Sequence, residues 1–77
     1  MKEEVLDKLI EKTAAALRAD KSTLSPNTEI KSLGLKSLEL VAIISSFEEE
    51  YDCYIEYTEL MHANTIGEAA EVISKNI

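Results

Sequence analysis

Seventy-seven residues leave room for one domain, expected to span residues 1–77, and none for a separate catalytic half. Fifteen acids against eight bases give a net charge of −7, which disfavours nucleic acid and anionic membrane surfaces, since both need Lys and Arg for neutralisation. With 45% hydrophobic and 30% charged residues the chain has a globular balance, but burial in so small a domain barely exceeds an ordering cost of about 1–2 kcal/mol per residue, so a modest core is expected and a deep preformed enzyme cleft is not.

The acidity has a natural complement in a partner with a basic docking patch. Cys53 is the single cysteine and His62 the single histidine, so neither an internal disulfide nor a thiolate metal cluster is expected, and a reduced, cytoplasmic setting is the simplest inference. Met1-Lys2-Glu3-Glu4 runs into an amphipathic segment without a continuous apolar signal region, and no stretch reaches the length of a membrane span. Stable membrane insertion is therefore not expected.

The first element is a helix predicted from about Lys2 to Ala19. Val5, Leu6, Leu9, Ile10, Thr13 and Leu17 form one stripe at helical period, and Ala14, Ala15 and Ala16 favour helix intrinsically. Asp20 to Lys36 is a long connection with a turn signal at Ser25-Pro26-Asn27-Thr28. Leu24, Ile30, Leu33 and Leu35 are too apolar for a free linker, so they should anchor this loop to the bundle.

A second helix is predicted from Ser37 to about Tyr51, with Leu40, Ile43, Ile44, Phe47 and Tyr51 on its inner face. Leu38 and Val41 flank that face, and Glu39, Ser46, Glu49 and Glu50 point away. Gly34 precedes it, where backbone freedom helps the chain turn. Asp52-Cys53-Tyr54-Ile55-Glu56-Tyr57 alternates like a strand but has no pairing partner, so it reads as an extended connector. Thr58-Glu59-Leu60-Met61 makes one short turn. Thr65-Ile66-Gly67-Glu68 has the form of a capping box and opens a last helix from about Ile66 to Lys75, with Ile66, Ala69, Ala70 and Ile73 inward, Val72 beside them, and Lys75 at the negative end of the dipole. The fold is expected to be all-α, a bundle of three main helices and one short helix, with a long ordered loop between the first two.

The residues able to carry chemistry are few. Leu33-Gly34-Leu35-Lys36-Ser37-Leu38-Glu39-Leu40 places a serine at the start of an amphipathic helix, where unpaired amides and the positive dipole end favour phosphate. Serine is also a favoured helix cap, and the local pattern alone leaves both roles open. Glu48-Glu49-Glu50 reads as a solvated run, since acid–base catalysis by paired carboxylates needs a pocket that an exposed helix lacks. Cys53 and His62 have no third orienting group and no glycine-rich oxyanion loop, so no catalytic residue is assigned and Cys53 reads as a half-buried small apolar residue. Tyr51, Tyr54 and Tyr57 read as packing residues.

On these residues the whole chain resembles the acyl carrier proteins, in helix order, long first loop and acidic balance. Leu33-Gly34-x-x-Ser37-Leu38 is similar to that family's attachment motif, Leu-Gly-x-Asp-Ser-Leu. Phe47-Glu48-Glu49-Glu50-Tyr51 resembles the acidic end of its second helix, and Thr65-Ile66-Gly67-Glu68 the start of its last. The resemblance implies that Ser37 carries 4′-phosphopantetheine, that Leu40, Ile43, Ile44, Phe47 and Ile66 form the core and acyl pocket, and that Lys36, Leu38, Glu39, Ala42, Glu48 and Glu49 meet partners. Those partners would be a phosphopantetheinyl transferase and acyl-handling enzymes with basic patches, serving a monomeric carrier, not an enzyme, in fatty acid, lipid or polyketide-type biosynthesis.

Two positions depart from the family. Lys36 stands where the family has the aspartate that caps the helix and helps the transferase recognise it; lysine accepts no hydrogen bond, which leaves Ser37 itself or water to cap. Ala42 stands where the family has a partner-facing acid. Both point to a specialised carrier serving a restricted set of enzymes. A carrier of aminoacyl or peptidyl groups is the nearest alternative. From another class, the alternative is an unmodified helical interaction module, with Lys36 as the sign of a lost attachment site.

Overall fold

The computed structural model describes residues 2–77, Lys2 by its backbone alone; Met1, the expected first residue of the domain, lies outside them. Its helices are α1 (Lys2–Leu17), α2 (Ser37–Tyr51), α3 (Tyr57–Met61) and α4 (Ile66–Lys75), with two 3-10 turns at Lys21–Thr23 and Ile30–Leu33 in the long loop. No strand occurs among the described residues. The all-α architecture of three main helices and one short one is the one the periodicity predicts, and none of the helices is long and apolar enough to cross a membrane.

The α1 stripe turns inward as its spacing requires: Val5, Leu9 and Thr13 are buried, and Leu6, Ile10 and Leu17 half-buried. It lies chiefly against α4, whose buried Ala69 and Ala70 keep that contact face small beside Ile66 and Ile73. α1 stops at Leu17, two residues short of the expected Ala19, because Arg18 adopts the left-handed conformation (φ 56°). The Arg18 N–H then donates to the Ala15 carbonyl at 3.2 Å and the Ala19 N–H to that of Ala14 at 2.9 Å, the paired closure of a Schellman motif. Left-handed backbone costs a non-glycine residue roughly 1–2 kcal/mol, and the greater freedom of unfolded glycine offsets part of any relief. Arg18→Gly is therefore expected to raise stability by about 0.5–1 kcal/mol in urea unfolding; a loss would mean that the arginine is unstrained. α2 also ends on a left-handed residue, Asp52 (φ 50°), but here the Asp52 N–H and the Cys53 N–H (3.1 Å) both donate to the Glu48 carbonyl, and aspartate tolerates this region better.

The long loop is ordered by backbone as much as by its leucines. Leu24, Ile30, Leu33 and Leu35 are half-buried, as anchors should be. In addition, the Ile66 N–H donates to the Thr28 carbonyl (3.0 Å), the Gly67 N–H to that of Pro26 (2.9 Å), and the Ile30 N–H to that of Asn64 (2.9 Å). An isolated antiparallel bridge pairs Glu29 with Thr65. The first amides of α4, which have no intrahelical partner, are thus taken up by the loop. Gly67 suits this close approach: a Cβ would stand 3.0 Å from the Pro26 carbonyl oxygen, a contact the loop would have to ease. The Glu68 N–H goes to the Thr65 hydroxyl at 3.2 Å, but the Glu68 carboxylate accepts from the Asn64 N–H (2.8 Å). The expected capping box is therefore displaced by one residue on its second half, from the Thr65 N–H to the Asn64 N–H.

On α2, Ile43, Ile44 and Phe47 are buried and Leu40 and Tyr51 half-buried. Two residues expected to point away face α1 instead. Lys12 Nζ donates to Ser46 Oγ at 2.6 Å, and Glu50 is paired with Lys8 and, at 3.5 Å, with Lys12. The hydrogen bond from Lys8 holds the Glu50 carboxyl below its ordinary range. The same two ammonium groups lie over the Tyr51 and Phe47 rings, 4.9 and 5.2 Å from their centroids, so lysine stems cover the aromatic edge of the core while their charges stay wet. The connector after α2 is extended, and its Ile55 is 2% exposed. Tyr51 stacks on Phe47 (6.1 Å) and Tyr57 is half-buried, but Tyr54 is 70% exposed and is not a packing residue.

Candidate functional site

The turn into α2 is made by Gly34, left-handed at φ 71° with open space around its absent Cβ, so only the backbone conformation calls for glycine there. It lets Leu33 and Leu35 turn inward while Lys36 and Ser37 remain exposed. Lys36, not Ser37, is the capping residue, with extended backbone at φ −82° and ψ 154°. Its ammonium has no lone pair to offer the helix. Instead the Glu39 carboxylate reaches back to accept the Lys36 N–H at 2.9 Å, and the Lys36 carbonyl accepts the first helical bond from the Leu40 N–H at 3.0 Å.

Glu39 therefore does the tethering that the sequence reading left to Ser37 or water. Ser37 is the first helical residue, and its hydroxyl makes no hydrogen bond among the described residues. The amides of Ser37, Leu38 and Glu39 open the fifteen-residue helix and have no acceptor among the described residues. A phosphodiester at this oxygen would meet those donors and the positive end of the dipole. The hydroxyl is exposed, unpaired and electrostatically suited to an anionic linkage.

Behind the turn lies an apolar cavity of about 20 Å³, room for about one water. α2 contributes Leu40, Ile43 and Ile44, α4 contributes Ile66, Ala69 and Ile73, and the loop contributes Ile30, Leu33 and Leu35. Four of the five residues expected to form the pocket line it. Phe47 is fully buried but packs on the far side, towards Tyr51 and Lys12. Leu9, Thr13 and Leu60 complete the wall; their inward faces were legible, their convergence on one space was not.

The outer face of α2 carries Leu38 (83% exposed), Val41 (43%), Ala42 and Glu49. Glu48, expected on that face, is half-buried and accepts the Ile55 N–H at 2.9 Å, so it fixes the connector as well. Cys53 is half-buried; burial pushes its thiol up, and Glu48 and Asp52 add to this. His62 is exposed at the end of α3.

Ser37 fits a covalent phosphopantetheine: an open hydroxyl, unpaired amides beside it and a hydrocarbon space within the same bundle. Residues 7–73 match the family model described as a phosphopantetheine attachment site. An acyl carrier protein of Picosynechococcus sp. is 32% identical over 76 residues, covering 97% of this chain and 94% of that protein. The chain belongs to the phosphopantetheine-bearing acyl carrier protein family.

Proposed function

We propose that Ser37 is the attachment point and that residues 1–77 work as one specialised acyl carrier domain in fatty acid, lipid or polyketide-type biosynthesis, in the cytoplasm. The observation that carries this is the free Ser37 hydroxyl: with Lys36 in the cap position and Glu39 holding its N–H at 2.9 Å, the serine has no structural duty to give up. A helix-capping serine would lose about 1 kcal/mol of stability on modification; this one loses nothing. When bound, the group supplies a thiol on a flexible arm that holds acyl cargo as a thioester.

The residues of the chain then divide the remaining work. The α2 amides stabilise the anionic link. The cavity walls shelter cargo from water. Glu39, Glu48 and Glu49, with the exposed Leu38, Val41 and Ala42, form a mixed acidic and apolar docking face, suited to a partner with a few basic groups around an apolar centre. Lys36, beside Ser37, has no ion-pair partner among the described residues, and supports a transferase that does not demand an acid there.

Intact-mass measurement after incubation with coenzyme A and a panel of transferases tests this. One phosphopantetheine mass is expected on the native chain and none on Ser37→Ala, with Lys36→Asp widening the set of transferases that act. Mass gain on Ser37→Ala, or none on the native chain with any transferase, would refute the attachment point. Equal use of every transferase by the native chain and Lys36→Asp would refute the specialisation.

A further inference from the structure

Thr13 lies on the inner face of α1, 3% exposed, and among the described residues it is the one buried residue with a polar side chain. It lines the cavity behind Ser37, where every other lining side chain is hydrocarbon. Its hydroxyl makes no hydrogen bond among the described residues, not even the back-bond to the preceding turn that helical threonines often form. Among the described residues the side-chain oxygen buried outright without a partner is Ser74 Oγ, but Ser74 does not line the cavity, whereas Thr13 does and keeps 3% exposure.

An unpaired hydroxyl in an apolar wall is unfavourable, and valine would supply the same shape without it. A purely hydrocarbon cargo would be served better by valine. The space of about 20 Å³ offers a water one polar partner where a buried water needs two to four, so the cargo-free protein leaves the hydroxyl unserved. A saturated chain would leave it so, whereas a chain bearing its own oxygen at that depth would supply the missing bond.

We propose, resting on the reading of Ser37 as the attachment point, that Thr13 is a specificity-determining residue: the cavity takes an acyl chain with a hydroxyl or oxo oxygen along its length, and the Thr13 hydroxyl hydrogen-bonds to it. A hydroxyl both donates and accepts, so it serves either cargo oxygen, and helical threonine has two accessible rotamers with which to meet it.

The test loads the intact protein with hydrolysis-resistant acyl-pantetheine amides of equal chain length: saturated, hydroxy and oxo, with the oxygen stepped along the chain. Loading is verified by mass and followed by thermal melting of the native chain, Thr13→Val and Thr13→Ser. For at least one oxygen position the native chain should melt about 4–8 °C above its saturated counterpart. Thr13→Val should lose or reverse that difference, and Thr13→Ser should keep it. The hydroxy and oxo arms show whether Thr13 accepts, donates or does both. The same ranking in native and Thr13→Val protein, or no shift with any chain, overturns the assignment of Thr13 while leaving Ser37 intact. No mass gain at Ser37 overturns both.

Discussion

Phe47→Ala is expected to remove a large share of the stability of this domain. Phe47 has no exposed surface and is among the largest fully buried side chains, stacked on Tyr51 with ring centroids 6.1 Å apart and capped by the Lys12 ammonium 5.2 Å from its ring. Truncating a buried phenylalanine to alanine costs about 3–5 kcal/mol, from lost transfer energy and from the cavity left behind. A chain of this length has a total stability on the order of 4–12 kcal/mol, from roughly 0.05–0.15 kcal/mol per residue. Urea titration followed by far-ultraviolet circular dichroism should show either a sharply lowered midpoint or no folded baseline. Phe47→Leu keeps most of the volume and should cost about 1–1.5 kcal/mol. Because Phe47 does not line the cavity, folded Phe47→Leu should still gain the arm on Ser37. A loss below about 1 kcal/mol for Phe47→Ala would mean that the core is centred elsewhere.

The same residue shows what can be read from a linear sequence. The spacing of Leu40, Ile43, Ile44 and Phe47 identifies the buried face of α2 because a helix repeats regardless of what it packs against. Ile66, Ala69, Ala70 and Ile73 reveal α4 in the same way. What the repeat does not encode is the neighbour. Ser46 and Glu50 are polar and look solvent-facing, yet they meet Lys12 and Lys8 across the α1–α2 contact, and nothing local in α2 announces lysines about forty positions away. Helix ends are legible only when glycine takes the left-handed position, and Arg18 and Asp52 take it here. The clasp of Pro26 and Thr28 on the start of α4 is made of backbone groups, which leave no side-chain pattern beyond the small Gly67.

The site follows the same division. Leu-Gly-x-x-Ser-Leu marks Ser37 without saying whether its hydroxyl is in use. That depends on Glu39 reaching back to Lys36, a bond that any Glu in the third helical position could make or refuse. The charge reversal at Lys36 thereby loses its structural consequence. A lysine cap would leave the helix end open, but the carboxylate one turn on ties it down, so the reversal is free to act on partners alone. The cavity is the least legible feature, since it is drawn from every helix and the loop, and its one hydroxyl, on Thr13, sits in the apolar stripe of α1.

Loading Ser37 with a saturated medium-length acyl chain is expected to raise the melting temperature well above that of the unloaded protein. Each methylene withdrawn from water contributes at most about 0.8 kcal/mol, so a handful of them gives a gross gain on the order of 4 kcal/mol. Against this stands the size of the cavity, about 20 Å³, far too small for such a chain, so the walls must part. Forcing extra methylenes into a packed core costs typically about 1–3 kcal/mol. The difference, about 2 kcal/mol in favour of burial, corresponds to a shift of about 8–16 °C for a domain of this size. The parts best placed to yield are α3, five residues long and held by the buried Leu60, and the loop turn Ile30–Leu33, whose Ile30 and Leu33 are only half-buried. Amide hydrogen exchange should therefore slow in α2 and α4 on loading and change least in the outer turns of α1. Leu60→Ala enlarges the space beforehand: it should lower the melting point of the unloaded protein and widen the gap between loaded and unloaded forms. Equal melting with and without the acyl chain would mean that the cargo stays in solvent, outside the bundle.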